Sequence, residues 1–352
     1  MSLTLIYPYD PAVDCRRLDE VLTHALPSPT RVIRQAEELV DLSGQRLLFA
    51  LCVGEYGINL EYQRMLARLR ACPDLLKGCT AGLIVDGGGE LFTKSTATEL
   101  ALAVNRSGCT LVGRPLVEGT GSLANFRVQA NLLSCDLPKA YRAAARELVE
   151  RVRTEQTARK EKPNLLVLHA STLHVSNSMD LWEQVKGRLS ERCTITEIGL
   201  RNGTLSDCSG CPYTTCLHFG EKGGCFYGGV MQQEVYPALR QADAVIMICP
   251  NYNDALSANL TACINRLTAL FRQTRFYDKN LFAIVVSGYS GGDIVARQLI
   301  SAMNMNKSFR LPGRFAMIET ANDPGAAMAL DGIKNRLDGF AQTILDTVCT
   351  PK

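Results

Sequence analysis

Short apolar runs alternate with amphipathic stretches through the first half of the chain. Leu3–Tyr7, Arg46–Val53, Ala81–Val85 and Thr110–Val112 read as strands. A continuous apolar run is what a parallel strand shows when both of its faces are covered. Between these runs, Leu60–Ala71 and Ala97–Asn105 read as amphipathic helices. From Pro138 to about Lys160 the pattern predicts one long charged helix, with Tyr141, Ala144, Leu148 and Val152 on a single stripe. Its polar end, Thr157-Ala158-Arg159-Lys160-Glu161-Lys162-Pro163, is closed by proline, which marks a domain boundary.

The pattern then starts again. Strands are expected at Asn164–Leu168, Ile195–Ile198, Ala244–Cys249, Leu281–Val286 and Arg314–Glu319. Helices are expected at Asp180–Leu189, Ala258–Phe271, Asp293–Met303 and Asp323–Val348. This rhythm predicts an α/β fold in which doubly wound parallel sheets are covered on both faces. Two domains are expected, 1–160 and 161–352, and the length of 352 residues agrees at roughly 150 per domain.

The halves echo one another in order. Ala81–Glu90 resembles Ala283–Asp293, Leu111-Val112-Gly113-Arg114 resembles Leu311-Pro312-Gly313-Arg314, and Met65–Leu69 resembles Cys263–Leu267. A duplicated unit is the expectation. Apolar residues at 46% and charged residues at 21% exclude disordered and fibrous classes. Lys and Arg total 38 against 35 for Asp and Glu, a balance that argues against nucleic-acid and membrane partners. No apolar run reaches the about eighteen residues of a membrane span. Met1 to Asp10 lacks a basic start and a long apolar stretch, so it reads as a first strand rather than a signal peptide, and the expected address is the cytoplasm.

Ligands of doubly wound sheets bind beyond the carboxyl ends of the strands. After Asn164–Leu168 comes His169-Ala170-Ser171-Thr172-Leu173-His174-Val175-Ser176-Asn177-Ser178, with hydroxyls and an amide leading into a helix. Such a helix start holds an anion without a lysine, although an ordinary N-cap reads the same way. After Ala244–Cys249 comes Pro250-Asn251-Tyr252-Asn253-Asp254-Ala255-Leu256-Ser257, whose tyrosine suits a flat aromatic ligand. After Leu281–Val286 comes Ser287-Gly288-Tyr289-Ser290-Gly291-Gly292, where glycines allow close approach to a ligand. His169 and His174 read as neighbours of the first loop rather than as acid–base catalysts.

Of the 14 cysteines, Cys52, Cys79, Cys109, Cys249 and Cys263 sit singly in apolar surroundings and read as core residues. Cys208, Cys211, Cys216 and Cys225 crowd together at C-x2-C-x4-C-x8-C. Four thiolates suit an iron–sulfur cluster or Zn(II), the latter with His218 as an alternative ligand; redox-active or plain thiols also fit.

Residues 164–310 resemble the flavodoxin-like NAD(P)H-dependent FMN reductases, including the iron–sulfur flavoproteins of anaerobes. Ser171 to Ser178 resembles the family's phosphate loop, with Leu173 where the family commonly has arginine. Pro250-Asn251-Tyr252 matches its flavin loop, with Ser257, Ala258, Leu260 and Asn265-Arg266 also in pattern. Ser287-Gly288 and Gly291-Gly292 match its third loop. The resemblance implies FMN, its phosphate at Ser171, Thr172, Ser176, Asn177 and Ser178. Its ring would lie against Pro250, Asn251, Tyr252, Asn253, Ser257, Ser287, Gly288, Gly291 and Gly292. It implies that Cys208, Cys211, Cys216 and Cys225 bind a [4Fe–4S] cluster that relays electrons, although the family's gaps between these cysteines are shorter. NAD(P)H or a low-potential carrier would be the donor, and a small molecule or protein the acceptor. Two other readings stand beside this one: an electron-transfer module without small-molecule turnover, and a zinc-stabilised flavodoxin-like binding protein.

The first domain shows no equivalent loops. Pro8-Tyr9-Asp10-Pro11 follows its first strand, Cys52-Val53-Gly54-Glu55-Tyr56 a later one, and only Gly87-Gly88-Gly89 keeps the glycines. Arg114 reads as part of a strand end and turn rather than as a substrate contact. The expectation is two flavodoxin-like domains in tandem, the first degenerate and without cofactor, the second carrying the cysteine-rich insertion at 208–225. Reductases of this class commonly dimerise with each site near the partner subunit, so the resemblance also implies a homo-oligomer, or a first domain that supplies such a surface within the chain.

Overall fold

The computed structural model describes residues 3–171 and 176–351. The chain divides into two compact units, Met1–Gln156 and Thr157–Lys352. In the first, the chain runs β1 (Thr4–Ile6), α1 (Arg16–Ala25), β2 (Arg31–Ile33), β3 (Arg46–Cys52), α2 (Leu60–Ala71), β4 (Thr80–Asp86), α3 (Thr93–Arg106), β5 (Thr110–Gly119), α4 (Arg127–Leu133) and α5 (Leu137–Thr154). The strands form one sheet in the order β2-β1-β3-β4-β5, and all pairs are parallel.

The second unit runs β6 (Asn164–His169), α6 (Asn177–Leu189), β7 (Thr194–Gly199), α7 (Tyr213–Glu221), α8 (Tyr236–Gln241), β8 (Ala244–Pro250), α9 (Ala258–Phe271), β9 (Asn280–Ser287), α10 (Gly292–Leu299), β10 (Ala316–Thr320) and α11 (Ile333–Val348). Its order, β10-β9-β8-β6-β7, is also parallel throughout. Each sheet therefore has the flavodoxin-like order 2-1-3-4-5, in which a switch point lies between the first and third strands. The expected pair of flavodoxin-like α/β domains is what the structure contains.

Local details repeat between the units. Arg114 (φ 50°) and Arg314 (φ 59°) are both left-handed, as are the N-caps Phe92 (φ 74°) and Gly291 (φ 85°) of α3 and α10. Asn105 donates Nδ2–H to the Cys109 carbonyl at 3.1 Å, and Asn304 to that of Phe309 at 2.7 Å. Both amides close the same turn between the helical segment that follows the fourth strand of the unit and its last strand, which accords with a duplicated ancestor.

Three elements depart from expectation. The helix predicted to reach about Lys160 ends at Thr154. Lys160 instead accepts from Thr350 and donates to Val348, a bridge beside the end of α11 that competes with helical bonding. The strand predicted at Thr110–Val112 continues to Gly119, because a bulge carries the chain past Pro115 and pairing with β4 resumes at Leu116. As β5 is an edge strand, the missing proline N–H costs no ladder bond. The last helix starts at Ile333 rather than Asp323, since Gly325 and Gly332 are left-handed (φ 78° and 66°).

Both cores lie between sheet and helices. In the first, Leu148 and Val152 of α5 sit directly over Gly82 of β4, where a Cβ would fall 2.8 and 2.9 Å from them. In the second, Trp182 of α6 is fully buried among Leu165, Val167 and Leu337. Among the described residues, no helix is long and apolar enough to cross a membrane.

Candidate functional site

The site begins where the strands of the second sheet end. β6 runs out at His169, and the chain passes through Ala170 and Ser171 to α6, whose N-cap residue is Ser176. The Ser176 hydroxyl does not cap the helix; it pairs with Ser178 Oγ at 3.1 Å. Two hydroxyls thus stand at the positive end of a 13-residue helix, where backbone N–H groups and the dipole favour an anion. Thr172, Leu173 and His174 lie outside the described residues.

β8 ends at Pro250 and leads into a tight turn. Tyr252 and Ala255 exchange backbone hydrogen bonds at 3.1 Å across Asn253 (φ 53°) and Asp254 (φ 58°). These are the two positive-φ positions of a type I′ turn, which Asn and Asp tolerate. The turn holds Tyr252 out, with 58% of its surface exposed. Asn251 fastens this turn to the next loop. Its N–H donates to Val286 O at 2.8 Å, and its Nδ2 lies 3.1 Å from Ser287 Oγ and 3.0 Å from Ser290 O. Gly291 is required at the same junction, for a Cβ there would fall 1.9 Å from Asp254 Oδ1.

Between these loops lies a cleft of about 330 Å³, lined by Ser171, Ser176, Asn177, Ser178, Pro250, Asn251, Tyr252 and Gly288 of the expected residues. That volume is within the range of small-molecule sites, roughly 300–1,000 Å³. Hydroxyls, amides and backbone dominate, and no lysine or arginine is among the described lining residues. Five expected residues stand apart from the lining. Asn253 forms the turn, and Ser257 caps α9 by accepting from Leu260 N–H at 3.4 Å. Ser287 is bonded to Asn251, and Gly291 and Gly292 provide close packing against Asp254 and Ile318.

The loop after β10 completes the wall with Ala321, Asn322 and Pro324. Its residues show no motif in the sequence, although the rule that ligands bind beyond strand ends applies to a fifth loop as much as to the others. Asn177 ties that loop down. Its Nδ2 donates to Ala321 O at 3.2 Å and Asp323 O at 2.9 Å, and its Oδ1 accepts from Ala327 N–H at 3.1 Å. The Asn177 side chain is therefore committed to the wall, leaving its backbone and the two serines toward the cleft.

His169 does not line the cleft. Its Nε2 lies 3.7 Å from Glu197 Oε1, and its Nδ1 is buried with no partner among the described residues. Burial holds the imidazole below its ordinary pKa, and the Glu197 carboxylate opposes this. Glu197 in turn accepts from Trp182 Nε1–H at 2.9 Å and from Lys186 at 3.2 Å.

The cysteine segment does not gather. Cys208 is exposed, Cys211 contacts the Tyr227 hydroxyl at 3.9 Å, and Cys216 on α7 accepts from Arg272 Nε–H at 3.5 Å. Among the described residues, no three His, Cys, Asp or Glu side chains converge as a metal requires, and His218 packs against Phe219 instead. The stems of the segment are clamped: Arg266 of α9 donates to Ser206 O at 3.4 Å and Gly228 O at 2.7 Å, and Asn265 to Asp207 at 3.0 Å. The expected [4Fe–4S] or zinc ligand set is thus not assembled in this structure.

Residues 163–323 match the family model of the NADPH-dependent FMN reductases. That span contains every lining residue except Pro324. The class expected from the sequence, an NAD(P)H-dependent FMN reductase-like oxidoreductase, is the class this match names. Among solved structures, the NAD(P)H:quinone oxidoreductase from Methanothermobacter marburgensis is 18% identical with a TM-score of 0.39, covering 51% of this chain and 94% of its own. An azoreductase from Bacillus anthracis str. Sterne is 17% identical with a TM-score of 0.38, covering 51% and 97%. An FMN-dependent NADH-azoreductase from Bacillus anthracis str. Ames Ancestor, in complex with FMN, is 12% identical with a TM-score of 0.35, covering 52% and 99%. No curated protein matches the chain.

Proposed function

We propose that the second unit is an FMN-dependent oxidoreductase that moves electrons from NAD(P)H, or a low-potential carrier, to a small-molecule or protein acceptor. One observation carries this reading: the cleft at the sheet rim lies within the span matched by the NADPH-dependent FMN reductase family. The lining fits FMN chemically. Ser176 and Ser178 at the start of α6 would meet a phosphate, with Ser171 and Thr172 in the same loop. Pro250, Asn251 and Tyr252 offer backbone and an exposed aromatic face to a flat ring, and Gly288 keeps the opposite wall low. When bound, FMN supplies the hydride and electron chemistry. The protein's part is to fix the ring by the Asn251 junction and to hold the phosphate with hydroxyls and backbone N–H groups, no lysine or arginine being among the described lining residues.

Four thiols without a common centre do not fit a cluster or zinc, so no electron step is routed through Cys208, Cys211, Cys216 or Cys225. Stoichiometric iron and sulfide in anaerobically purified protein would require the segment to refold around them.

The test is the absorbance of the purified full chain under anaerobic conditions. A flavin band bleached by NADPH or NADH is expected, and Tyr252→Ala should weaken FMN retention by roughly tenfold, about 1.4 kcal/mol. A chain that binds no FMN when supplied with excess cofactor overturns the reading.

A further inference from the structure

The carboxyl end of the first sheet carries exposed apolar side chains on three loops. Tyr9 follows β1, Tyr56, Ile58 and Leu60 follow β3, and Leu91 and Phe92 follow β4, with exposures from 48% to 76%. Hydrogen bonds and close packing tie the loops into one surface. Leu60 N–H donates to Asp10 Oδ2 at 2.7 Å, which joins the start of α2 to the loop after β1. Gly88 N–H donates to Gly54 O at 2.8 Å, and the chain at Gly57 runs so close to Phe92 that a Cβ there would fall 2.5 Å from the Phe92 Cβ. Single exposed apolar residues are ordinary, but a contiguous group is not.

Phe92 adds an independent observation. It is the left-handed N-cap residue of α3 (φ 74°), where the second unit has Gly291 at the start of α10 (φ 85°). A bulky side chain is strained in that conformation. Half of Phe92 faces solvent, so packing within its own unit does not account for the strain.

We propose that this rim of the first unit is the interface of a homodimer, in which the same patch on a second copy of the chain covers it about a two-fold axis. The area is what such a pairing needs. Side chains of this size present on the order of 200 Å² when free, so at their exposures the six offer roughly 700 Å². That exceeds the roughly 300–600 Å² of the largest patch on a typical monomer and approaches the about 800 Å² that each partner brings to a stable interface. The character of the patch agrees. Transient interfaces are about as apolar as the rest of a protein surface, whereas permanent homodimer interfaces are more apolar, with charges depleted at their centre. Tyr9, Tyr56 and Phe92 are aromatic, and none of the six is charged. The flanking Glu55, Glu90 and Lys94 are exposed and carry both signs, so a copy of the patch meets no single-sign field. A two-fold contact buries the same patch on both chains and closes at two. The pairing surface thus belongs to the first unit and not to the family-matched span 163–323.

Sedimentation of the full chain at about 20 µM should give the mass of two chains, and dilution should release single chains. Tyr56→Asp/Leu91→Asp sets like charges on both faces and should weaken pairing by roughly tenfold or more. Its circular dichroism spectrum should be unchanged, because both side chains face solvent in the single chain. Wild type gives a second reading that needs no variant to fold: amides in residues 54–60 and 88–93 should exchange more slowly at about 20 µM than after about hundredfold dilution. A chain that stays single at about 100 µM overturns the proposal. So does a dimer whose affinity the double variant leaves unchanged, or whose rim amides gain no protection on pairing. A single chain that binds phosphatidylcholine vesicles instead of its own copy would give the patch to a lipid surface and overturn it as well.

Discussion

At the scale of single residues, Asn251 and His169 do work that their sequence positions do not announce. Asn251 reads in the sequence as a flavin-loop residue, yet its side chain bonds the turn after β8 to the loop after β9. Asn251→Ala removes those bonds and frees Tyr252 to swing. FMN binding should weaken more than stability falls, the latter by about 1–2 kcal/mol, which flavin titration and urea melts separate. His169 makes a pH prediction. Its pKa in the folded chain is lowered, so the unfolded chain takes up the proton first. The stability it contributes is complete above its ordinary value of about 6.5 and is lost as pH falls through the lower folded value. Wild type should therefore lose more stability than His169→Gln between pH 7.5 and pH 5.5. Equal losses would show that the buried imidazole is not the group that titrates.

Elements were legible where a continuous apolar run or a helical stripe was long. Leu60–Ala71 and Ala258–Phe271 match α2 and α9 to the residue, and the buried strands β3, β8 and β9 agree within two. What escaped was short or held by partners far along the chain. β2 has three residues, one of them outward-facing Val32, and shows no periodic signal. α1 carries Arg17 and Asp19 among its apolar positions, and its buried face of Leu18, Val21, Leu22 and Ala25 is hidden by charge. The cleft was legible through its hydroxyls and its Pro-Asn-Tyr loop, because local composition reports turn chemistry. The fates of Ser257, Gly291 and Gly292 were not, since a cap or a close approach depends on neighbours that only the fold supplies. Gly82 is a test at this scale. It lets α5 lie directly on β4, so Gly82→Val should lift the helix and destabilise the first unit by about 1–3 kcal/mol. Truncating the facing side chain in Gly82→Val/Leu148→Ala should recover part of the loss. A fully stable Gly82→Val would mean that the helix does not pack as described.

For the whole molecule, the two units share a strand order but differ at the rim, and that difference leads to a prediction of the cofactor count. In the first unit Arg17 of α1 reaches across the strand ends. It forks onto Asp86 at 2.9 and 3.0 Å, and donates to the carbonyls of Gly87 at 2.8 Å, Gly119 at 3.3 Å and Gly121 at 3.1 Å. Tyr141 adds its hydroxyl to the same carboxylate at 3.1 Å. The loops after β4 and β5 are thus bound to α1 by a guanidinium where the second unit leaves a cleft. No hydroxyl-rich loop precedes α1, and Cys15 stands at its N-cap. We therefore expect one FMN per chain. Opening the rim should not create a second site, because Arg17 is holding structure rather than blocking a formed pocket. Arg17→Ala leaves Asp86 buried without its cation, which should cost about 3–5 kcal/mol, and Arg17→Ala/Asp86→Asn should recover much of it. Flavin released by acid from protein saturated with FMN, counted against chain concentration, decides the matter. One equivalent in wild type and in both variants fits a first unit that has given its rim to internal bonding, and two equivalents in any of them would refute it.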